Sequence, residues 1–290
     1  MSSPSSFDAI LPPDMAKKAE DVGVAKVTKD PLTTFFLAMT AGAFIGIAFI
    51  FYTVVTTGTA DMAYGMAKLV GGICFSMGLM LVVICGGELF TSTVLTVVAK
   101  ASNKISWGQL FKNWCLVYFG NFVGAILLVG IMLVTEHYNN ASSQIGINYL
   151  NIAQHKLHHH FWQAVALGIM CNVMVCLAIW MTFGARSVTD KLLAVILPVA
   201  MFVAAGFEHC IANMFEIPMA IGVLANADAG FWQAAGVEAS KYADLTWSNF
   251  IINNLIPVTI GNIIGGGLLV GLTYWVIYRR PELRKQSKQI

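Results

Sequence analysis

The chain has 290 residues, of which 57% are apolar and only 11% are charged, and its formal net charge is +2. A soluble domain normally carries about a quarter of charged residues, so this composition excludes an ordinary soluble protein. The small net charge gives no indication of a nucleic-acid partner. The chain is predicted to be an integral membrane protein.

Residues 1–31 form a polar arm of mixed charge without the short apolar core of a cleavable signal peptide. Within this arm Asp14 is a good helix N-cap, and Met15, Ala19 and Val22 follow at helical spacing. We therefore predict a short amphipathic helix on the cytoplasmic surface of the membrane. It either packs there or acts as a gate over the mouth of a pore.

Six apolar stretches follow the arm, and each exceeds the about 20 residues that a membrane-spanning helix needs. They run roughly over residues 32–55, 69–98, 114–135, 161–183, 192–224 and 250–278. The second and fifth stretches are too long to be simple spans. The membrane domain is thus predicted over 32–278, with a basic tail over 279–290.

Lysine and arginine are sorted by loop, which predicts the orientation. Of the 17 basic residues, 14 lie in the arm, the loops after the second and fourth spans, or the tail. The positive-inside rule then places both termini in the cytoplasm. For a bacterial chain, this indicates a multi-pass protein of the cytoplasmic (inner) membrane.

The two long stretches are each interrupted at a corresponding place by an acidic residue. Gly86-Gly87-Glu88 interrupts the second stretch, and Gly206-Phe207-Glu208 interrupts the fifth. Irregular backbone at membrane depth survives only where it is packed in protein or lines a cavity. Matching breaks in two halves are the best sequence indication of a permeation site near the midplane.

The two halves also share a second pattern. Gly120-Asn121 in the third span repeats as Gly261-Asn262 in the sixth. Three spans in each repeat require that the second copy is inserted upside down. The fold class is therefore an all-α membrane protein with an inverted 3+3 repeat, about 32–135 and 161–278. Glycines four residues apart in these spans allow close helix approach.

Cysteines and histidines give little indication of a cofactor. The six cysteines lie in or near apolar spans and are interpreted as small packing residues. The run from His155 to His160 suggests a metal site, but no carboxylate cluster is near it in sequence. We predict no cofactor and no metal.

Two longer motifs resemble the signatures of a known protein family. Residues 83–92 (VICGGELFTS) and 168–178 (GIMCNVMVCLA) resemble the two signatures of the formate/nitrite transporter family. The resemblance extends from Phe7 to Arg279. It implies a homopentamer of aquaporin-like protomers, each with its own pore, whose substrate is formate.

The resemblance also implies which residues form the pore. It implies an outer constriction at Phe75 and Phe202, and an inner one at Leu79, Leu89, Phe90 and Val175. Thr91 and His209 would lie between these constrictions, and Lys156 in the outer loop would concentrate anions. Apolar rings of this kind exclude water and bare ions.

His209 is the residue that we expect to handle a proton. In water, proton transfer from imidazolium to a carboxylate of this type costs about 4 kcal/mol, because their reference pKa values differ by roughly 3 units. In a dry constriction the neutral pair of imidazole and formic acid becomes favoured. We predict that His209 lends or relays a proton to the anion.

The remaining polar residues of the breaks are given structural or gating roles. Glu88 and Glu208 are expected to accept hydrogen bonds from backbone N–H groups that the breaks leave unpaired, and Glu208 to orient His209. Thr91 is a candidate gate that binds and releases His209 or formate. Three inward amides satisfy the broken backbone or donate to the substrate: Asn172, Asn213 and Asn262.

The sequence thus predicts a passive, pH-dependent, bidirectional formate channel and not an enzyme. Alternatives within the family are nitrite or hydrosulfide as the main substrate, with acetate as a further candidate. From other classes, a membrane enzyme using His209, Glu208 and the histidine run remains open, but no nucleophile-base pair converges. A neutral-solute pore of the aquaporin kind is disfavoured because paired Asn-Pro-Ala boxes are missing.

Overall fold

The computed structural model describes residues 9–286, and this part of the chain is helical without strands. Phe7, where the family resemblance begins, lies outside the described residues, and so do the last four residues of the predicted tail. The helices are α1 (Pro12–Thr28), α2 (Pro31–Thr56), α3 (Tyr64–Cys85), α4 (Phe90–Ala101), α5 (Trp107–Val134), α6 (Gln144–Leu157), α7 (Phe161–Gly184), α8 (Val188–Ala204), α9 (Cys210–Asn226), α10 (Ala229–Ala235) and α11 (residues 247–286).

The long apolar helices confirm a multi-pass membrane fold. In the described part, five helical segments are long and apolar enough to cross a membrane, and a sixth results if α9 and α10, bent by 112° at their junction, count as one span. The predicted second and fifth stretches are each divided into two helices. Their breaks lie at residues 86–89 and 205–209, where the sequence predicted them.

The inverted repeat is visible in how the helices pack. In the first half α2 packs against α3 and α5, and in the second half α7 packs against α8 and α11, while α3 and α8 meet across the two halves. Glycine makes the tightest of these approaches possible. A Cβ atom at Gly124 would lie 1.9 Å from the carbonyl oxygen of Met39, and one at Gly261 would lie 2.2 Å from that of Val165.

The predicted amphipathic helix is α1, but it begins earlier than expected. The residue before its first turn is Leu11, and Pro12 and Pro13 occupy the first helical positions, where proline has no N–H to lose. The prediction of Asp14 as N-cap was therefore wrong, because Asp14 lies inside the first turn.

Helix α1 is attached to the rest of the molecule by a buried ion pair. Glu20 accepts hydrogen bonds from Arg279 of α11, with Arg279 Nε at 3.0 Å, and also from Ser102. Lys18 donates to the carbonyl oxygen of Phe183 at the end of α7. We call the side of the molecule that carries α1 and the end of α11 the terminal face, and the side that carries α6 the opposite face.

Candidate functional site

Each break contains a glycine in the left-handed conformation. Gly86 has φ +81° and Gly206 has φ +71°, a conformation that costs other L-residues energy and that commonly ends a helix. After the glycine, the chain turns toward the first helix of its own repeat. The backbone N–H of Glu88 donates to Leu37 at 3.0 Å, and that of Glu208 donates to Leu167 at 3.3 Å.

Two asparagines hold the broken backbone in matching ways. The Oδ1 of Asn121 accepts from the backbone N–H of Phe90, and the Oδ1 of Asn262 accepts from that of Cys210, both at 2.9 Å. The side-chain amide of each asparagine donates to two carbonyl oxygens, one of them that of the break glutamate. Buried backbone groups need such partners, so these asparagines stabilise the breaks. Both are fully buried.

The glutamate side chains have a different role from the one we expected. Glu88 accepts from Lys26, and from Lys29 at 2.7 Å, whereas Glu208 accepts from Lys156 at 2.8 Å. Their carboxylates are therefore held by lysines, and the asparagines take the backbone N–H groups in their place. This pairing neutralises acids that would otherwise be costly to bury.

Lys156 is not the free loop cation that the sequence suggested. It lies in the last turn of α6, and its side chain is only 14% exposed. Burial opposes its charge, but the Glu208 carboxylate outweighs this effect and raises the pKa of the Lys156 ammonium above its ordinary value. The charge of Lys156 is thus largely balanced within the protein.

His209 and Thr91 meet between the two breaks. Nε2 of His209 lies 3.0 Å from Oγ1 of Thr91, and both side chains are buried. Nδ1 of His209 accepts a hydrogen bond from the backbone N–H of Ala212 at 3.0 Å, which makes the ring the N-cap of α9. Because Nδ1 is an acceptor, this geometry assigns the neutral tautomer with its proton on Nε2, pointing at Thr91.

The expected contact between Glu208 and His209 does not form. The hydrogen-bond partners of Glu208 within residues 9–286 are Lys156, Asn213 and Asn254, and those of His209 are Thr91 and Ala212. Consecutive residues of an extended break point in opposite directions, which separates the two side chains. The tautomer of His209 is thus set by the backbone of α9.

Two phenylalanines cover His209 toward the opposite face. The rings of Phe202 and His209 stack with centroids 5.9 Å apart, and Phe75 meets Phe202 edge-on at 6.0 Å. Beyond them a cavity of about 590 Å³ extends to the opposite face. Its lining includes His209, Lys156, Phe75 and Phe202, so the sequence-predicted residues of this side are brought together.

A second cavity, of about 210 Å³, lies between α1 and the first break. Lys26 and Glu88 contribute to its lining. The residues predicted for the inner constriction line neither cavity and are all buried: Leu79, Leu89, Phe90 and Val175. The ring of Phe90 packs edge-on against Tyr118 of α5 with centroids 4.8 Å apart.

The three predicted amides are all used within the protein. Asn172 donates to the carbonyl oxygens of Thr91 at 3.0 Å and of Asn262 at 2.6 Å. Asn213 donates to Glu208 at 2.7 Å. Asn172 therefore fixes the backbone of the residue whose hydroxyl meets His209.

The histidine run lies at the mouth of the larger cavity. His158 contacts Asp244 at 2.5 Å, and the rings of His155 and His159 meet with centroids 5.0 Å apart. Burial alone would raise the pKa of the Asp244 carboxyl, but hydrogen bonds from Gln154 and His158 outweigh burial, and the net pKa is lowered. Within residues 9–286, the structure brings together no three metal-ligating side chains.

Two parts of this site were not predicted from the sequence. Asn121 was noticed only as part of a repeat, although its match to Asn262 could have indicated a shared role. Lys26 and Lys29 lie about 60 residues from Glu88 along the chain, and no local signal connects them to it.

The two breaks differ in the residue that precedes the second helix of each pair. Leu89 occupies the N-cap position of α4, and His209 occupies the equivalent position of α9. A ring N–H inside an otherwise apolar constriction is a hydrogen-bond donor without formal charge. Such a donor can hold a small anion without binding it too strongly to leave.

Comparisons with known proteins agree with this arrangement. The profile described as formate/nitrite transporter matches residues 13–276. The formate channel FocA of Escherichia coli (strain K12) is 61% identical over 282 residues, which cover 97% of this chain and 99% of that protein. The formate channel FocA of Haemophilus influenzae is 46% identical over 264 residues, with 91% and 93% covered.

Solved structures show the same fold. One described as a pentameric formate channel with formate bound has 62% identity and a TM-score of 0.82, and the match covers 86% of this chain and 97% of that one. Another, described as an FNT family ion channel, has 25% identity and a TM-score of 0.77, with 91% and 98% covered. The fold, the two breaks and these matches together show that the chain belongs to the formate/nitrite transporter family.

Proposed function

We propose that this protein is a passive channel that conducts formate across a membrane in both directions. The observation that carries the proposal is the His209–Thr91 pair, buried between two helix breaks and covered by Phe202. Near-full-length relatives named formate channels and a similar formate-bound structure support formate as the substrate. The relatives are named channels, which argues against the membrane-enzyme alternative.

Formate would approach His209 through the cavity on the opposite face. Phe75 and Phe202 strip water from the anion, and the Nε2–H of His209 then donates to a formate oxygen in place of Thr91 Oγ1. This exchange frees Thr91, whose hydroxyl can then donate a hydrogen bond to the second formate oxygen. The Lys156–Glu208 ion pair in the lining of the cavity adds a fixed dipole without net charge.

Protonation of formate by His209 has a structural condition. The neutral ring can release its Nε2 proton to formate only if Nδ1 takes up one proton from the water of the larger cavity, which His209 lines. The imidazole then stays neutral, and the net result is one proton moved from water to formate. Nδ1 is occupied by the Ala212 N–H, so receiving a proton breaks the cap of α9. Proton transfer and the conformation of the second break are therefore coupled.

We propose further that the protein assembles as a homopentamer in the bacterial cytoplasmic membrane, with the terminal face in the cytoplasm. The pentameric state of the similar formate channel supports the assembly. The concentration of lysine and arginine in the arm, in two loops and in the tail supports the orientation. The cavity at the opposite face would then open to the periplasm.

Flux in liposomes that contain the purified protein tests the proposed substrate. Labelled formate should equilibrate rapidly, and glycerol should not exceed its leak in empty liposomes. Nitrite, hydrosulfide and acetate are measured beside formate to rank the alternatives within the family. Formate flux no higher than in empty liposomes would contradict the proposal, and faster nitrite or hydrosulfide flux would reassign the main substrate.

A further inference from the structure

Glu216 is a buried acid that neither the breaks nor the proposed pathway explains. It lies in α9, seven residues after His209 and about 10 Å farther along the helix axis. Its side chain is fully buried, and neither carboxylate oxygen has a hydrogen-bond partner within residues 9–286. It does not line the cavity on the opposite face. An ionised carboxylate in this position would be very costly.

The other buried acids of the described chain show how unusual Glu216 is. Glu20 is paired with Arg279, Glu88 with Lys26 and Lys29, and Glu208 with Lys156. Each of these carboxylates therefore has at least one cation in contact. Glu216 has none in contact, and its nearest charged influences are Lys156 and Glu208.

In the part of the chain that the structure describes, the elements packed around α9 supply no further permanent cation. Helix α6 contributes Lys156 and Tyr149, the second break contributes Glu208, and Tyr52 of α2 adjoins Lys156. Helix α2 carries no Asp, Glu, Lys, Arg or His. The basic residues of the remaining neighbours lie at their terminal-face ends: Lys100 of α4, Lys112 of α5, and Arg279 onward in α11.

His159 lies 3.8 Å from Glu208, but burial lowers the pKa of its imidazole and favours the neutral ring. Two acids, Glu208 and Glu216, thus share one cation, Lys156. If both acids were ionised, the buried cluster would carry one uncompensated negative charge, which protein interiors avoid by binding a proton. Lys156 is in contact with Glu208, so Glu216 is the acid left without compensation. We propose that Glu216 holds a proton as a neutral carboxylic acid and completes a buried Lys156–Glu208–Glu216 triad of zero net charge.

The polar atoms around Glu216 fit a neutral acid. Within residues 9–286, Asn213, three residues before Glu216 on the same face of α9, has a buried Oδ1 without a hydrogen-bond partner, and the buried hydroxyl of Tyr149 on α6 lies near Glu216. A neutral carboxyl group offers one O–H donor and one carbonyl acceptor. These complement an amide oxygen and a phenol, directly or through one water molecule. An ionised Glu216 would offer only acceptors to Asn213.

The triad has a consequence for the site next to it. While Glu216 keeps its proton, Lys156 remains with Glu208, and the charge in the lining of the cavity stays balanced. An ionised Glu216 would compete for Lys156 and weaken that pair. The proton on Glu216 is bound by the folded protein whether or not formate is transported.

Infrared spectroscopy of the full-length protein in detergent tests the inference directly. At pH 7, where an ordinary glutamate is ionised, the wild type should show the carbonyl stretch of one protonated carboxylic acid, and the band should shift in D₂O. Glu216→Gln should abolish it, and the exposed control Glu238→Gln should retain it. The inference is wrong if the wild type lacks the band or if Glu216→Gln keeps it.

A second variant tests the shared cation. Removing the ammonium in Lys156→Met leaves Glu208 uncompensated, so Glu208 should bind a proton as well and the band should double in intensity. Glu216→Gln should also unfold at the same temperature as the wild type, because Gln is the neutral isostere of the protonated acid. A marked loss of stability in Glu216→Gln would show an ionised Glu216 and overturn the inference.

Discussion

His209 combines two hydrogen bonds that restrict its chemistry. Its Nδ1 caps α9 through Ala212, and its Nε2–H meets Thr91. The sequence predicted that His209 and Thr91 belong to one pore. It could not predict the tautomer, because the Ala212 N–H reaches the ring only once the break is folded. Glu208 was expected to orient this ring, but its carboxylate accepts a hydrogen bond from Lys156 and makes none with His209.

At the same scale, the Lys156–Glu208 pair should stabilise the fold. Its two side chains are 14% and 2% exposed. Removing one partner of a buried pair typically costs about 3–5 kcal/mol, so Lys156→Met should unfold at a lower temperature than the wild type. Thermal unfolding in detergent measures this effect.

The stability lost in Lys156→Met should depend on pH, because the variant binds a proton on folding. In folded Lys156→Met, Glu208 binds a proton that the unfolded chain at neutral pH does not bind, so the variant gains stability as the pH falls. The difference from the wild type should therefore shrink toward acidic pH. A difference that is constant or grows in acid would contradict this account of the pair.

At the scale of helices, glycine and asparagine define the repeat. Gly124 and Gly261 let helices of each half touch backbone to backbone, and Asn121 and Asn262 hold the two breaks. The spans, the breaks and the repeat could be predicted because hydropathy and these motifs are local signals. The ion pairs of Glu88 could not, because Lys26 and Lys29 approach it only after α1 has packed.

The glycine contacts make a prediction with a control on the same helix. In Gly124→Ala the new methyl group meets the Met39 carbonyl oxygen at 1.9 Å, so α2 and α5 must separate. Overpacking of this kind costs about 1–3 kcal/mol. At Gly130, also in α5, a Cβ atom has open space. We expect Gly124→Ala to lower the unfolding temperature and Gly130→Ala to leave it unchanged or raise it. Equal effects would show that the close approach does not matter.

At the scale of the whole molecule, α1 connects the two ends of the chain. Its Glu20 binds Arg279 near the end of α11, and its Lys26 lines the smaller cavity. The sequence left two roles open for this helix, simple packing and gating. The smaller cavity is lined by residues of both α1 and the first break, so the two are neighbours. Release of α1 would therefore widen the terminal-face side of the site.

Arg279→Gln should loosen α1, because Glu20 is then buried without its cation. Hydrogen exchange of residues 12–28 should become faster than in the wild type. Glu282→Gln is a matched control, since it removes the exposed partner of Arg279 and keeps the buried one. Unchanged exchange in Arg279→Gln would show that other contacts fix α1.

Formate flux in the same variant distinguishes the two roles of α1. Gating predicts that Arg279→Gln conducts formate faster than the wild type, and simple packing predicts no change in flux.

The central claim is that formate crosses by contact with His209, and one measurement tests it most directly. Formate flux is compared between wild type and His209→Asn in liposomes across pH 5 to 8, the range in which histidine ordinarily titrates. Asn retains a hydrogen-bond donor but cannot exchange a proton. The account predicts that the variant folds, loses most of the wild-type flux and loses its pH dependence. Wild-type flux with an unaltered pH profile in His209→Asn would contradict it.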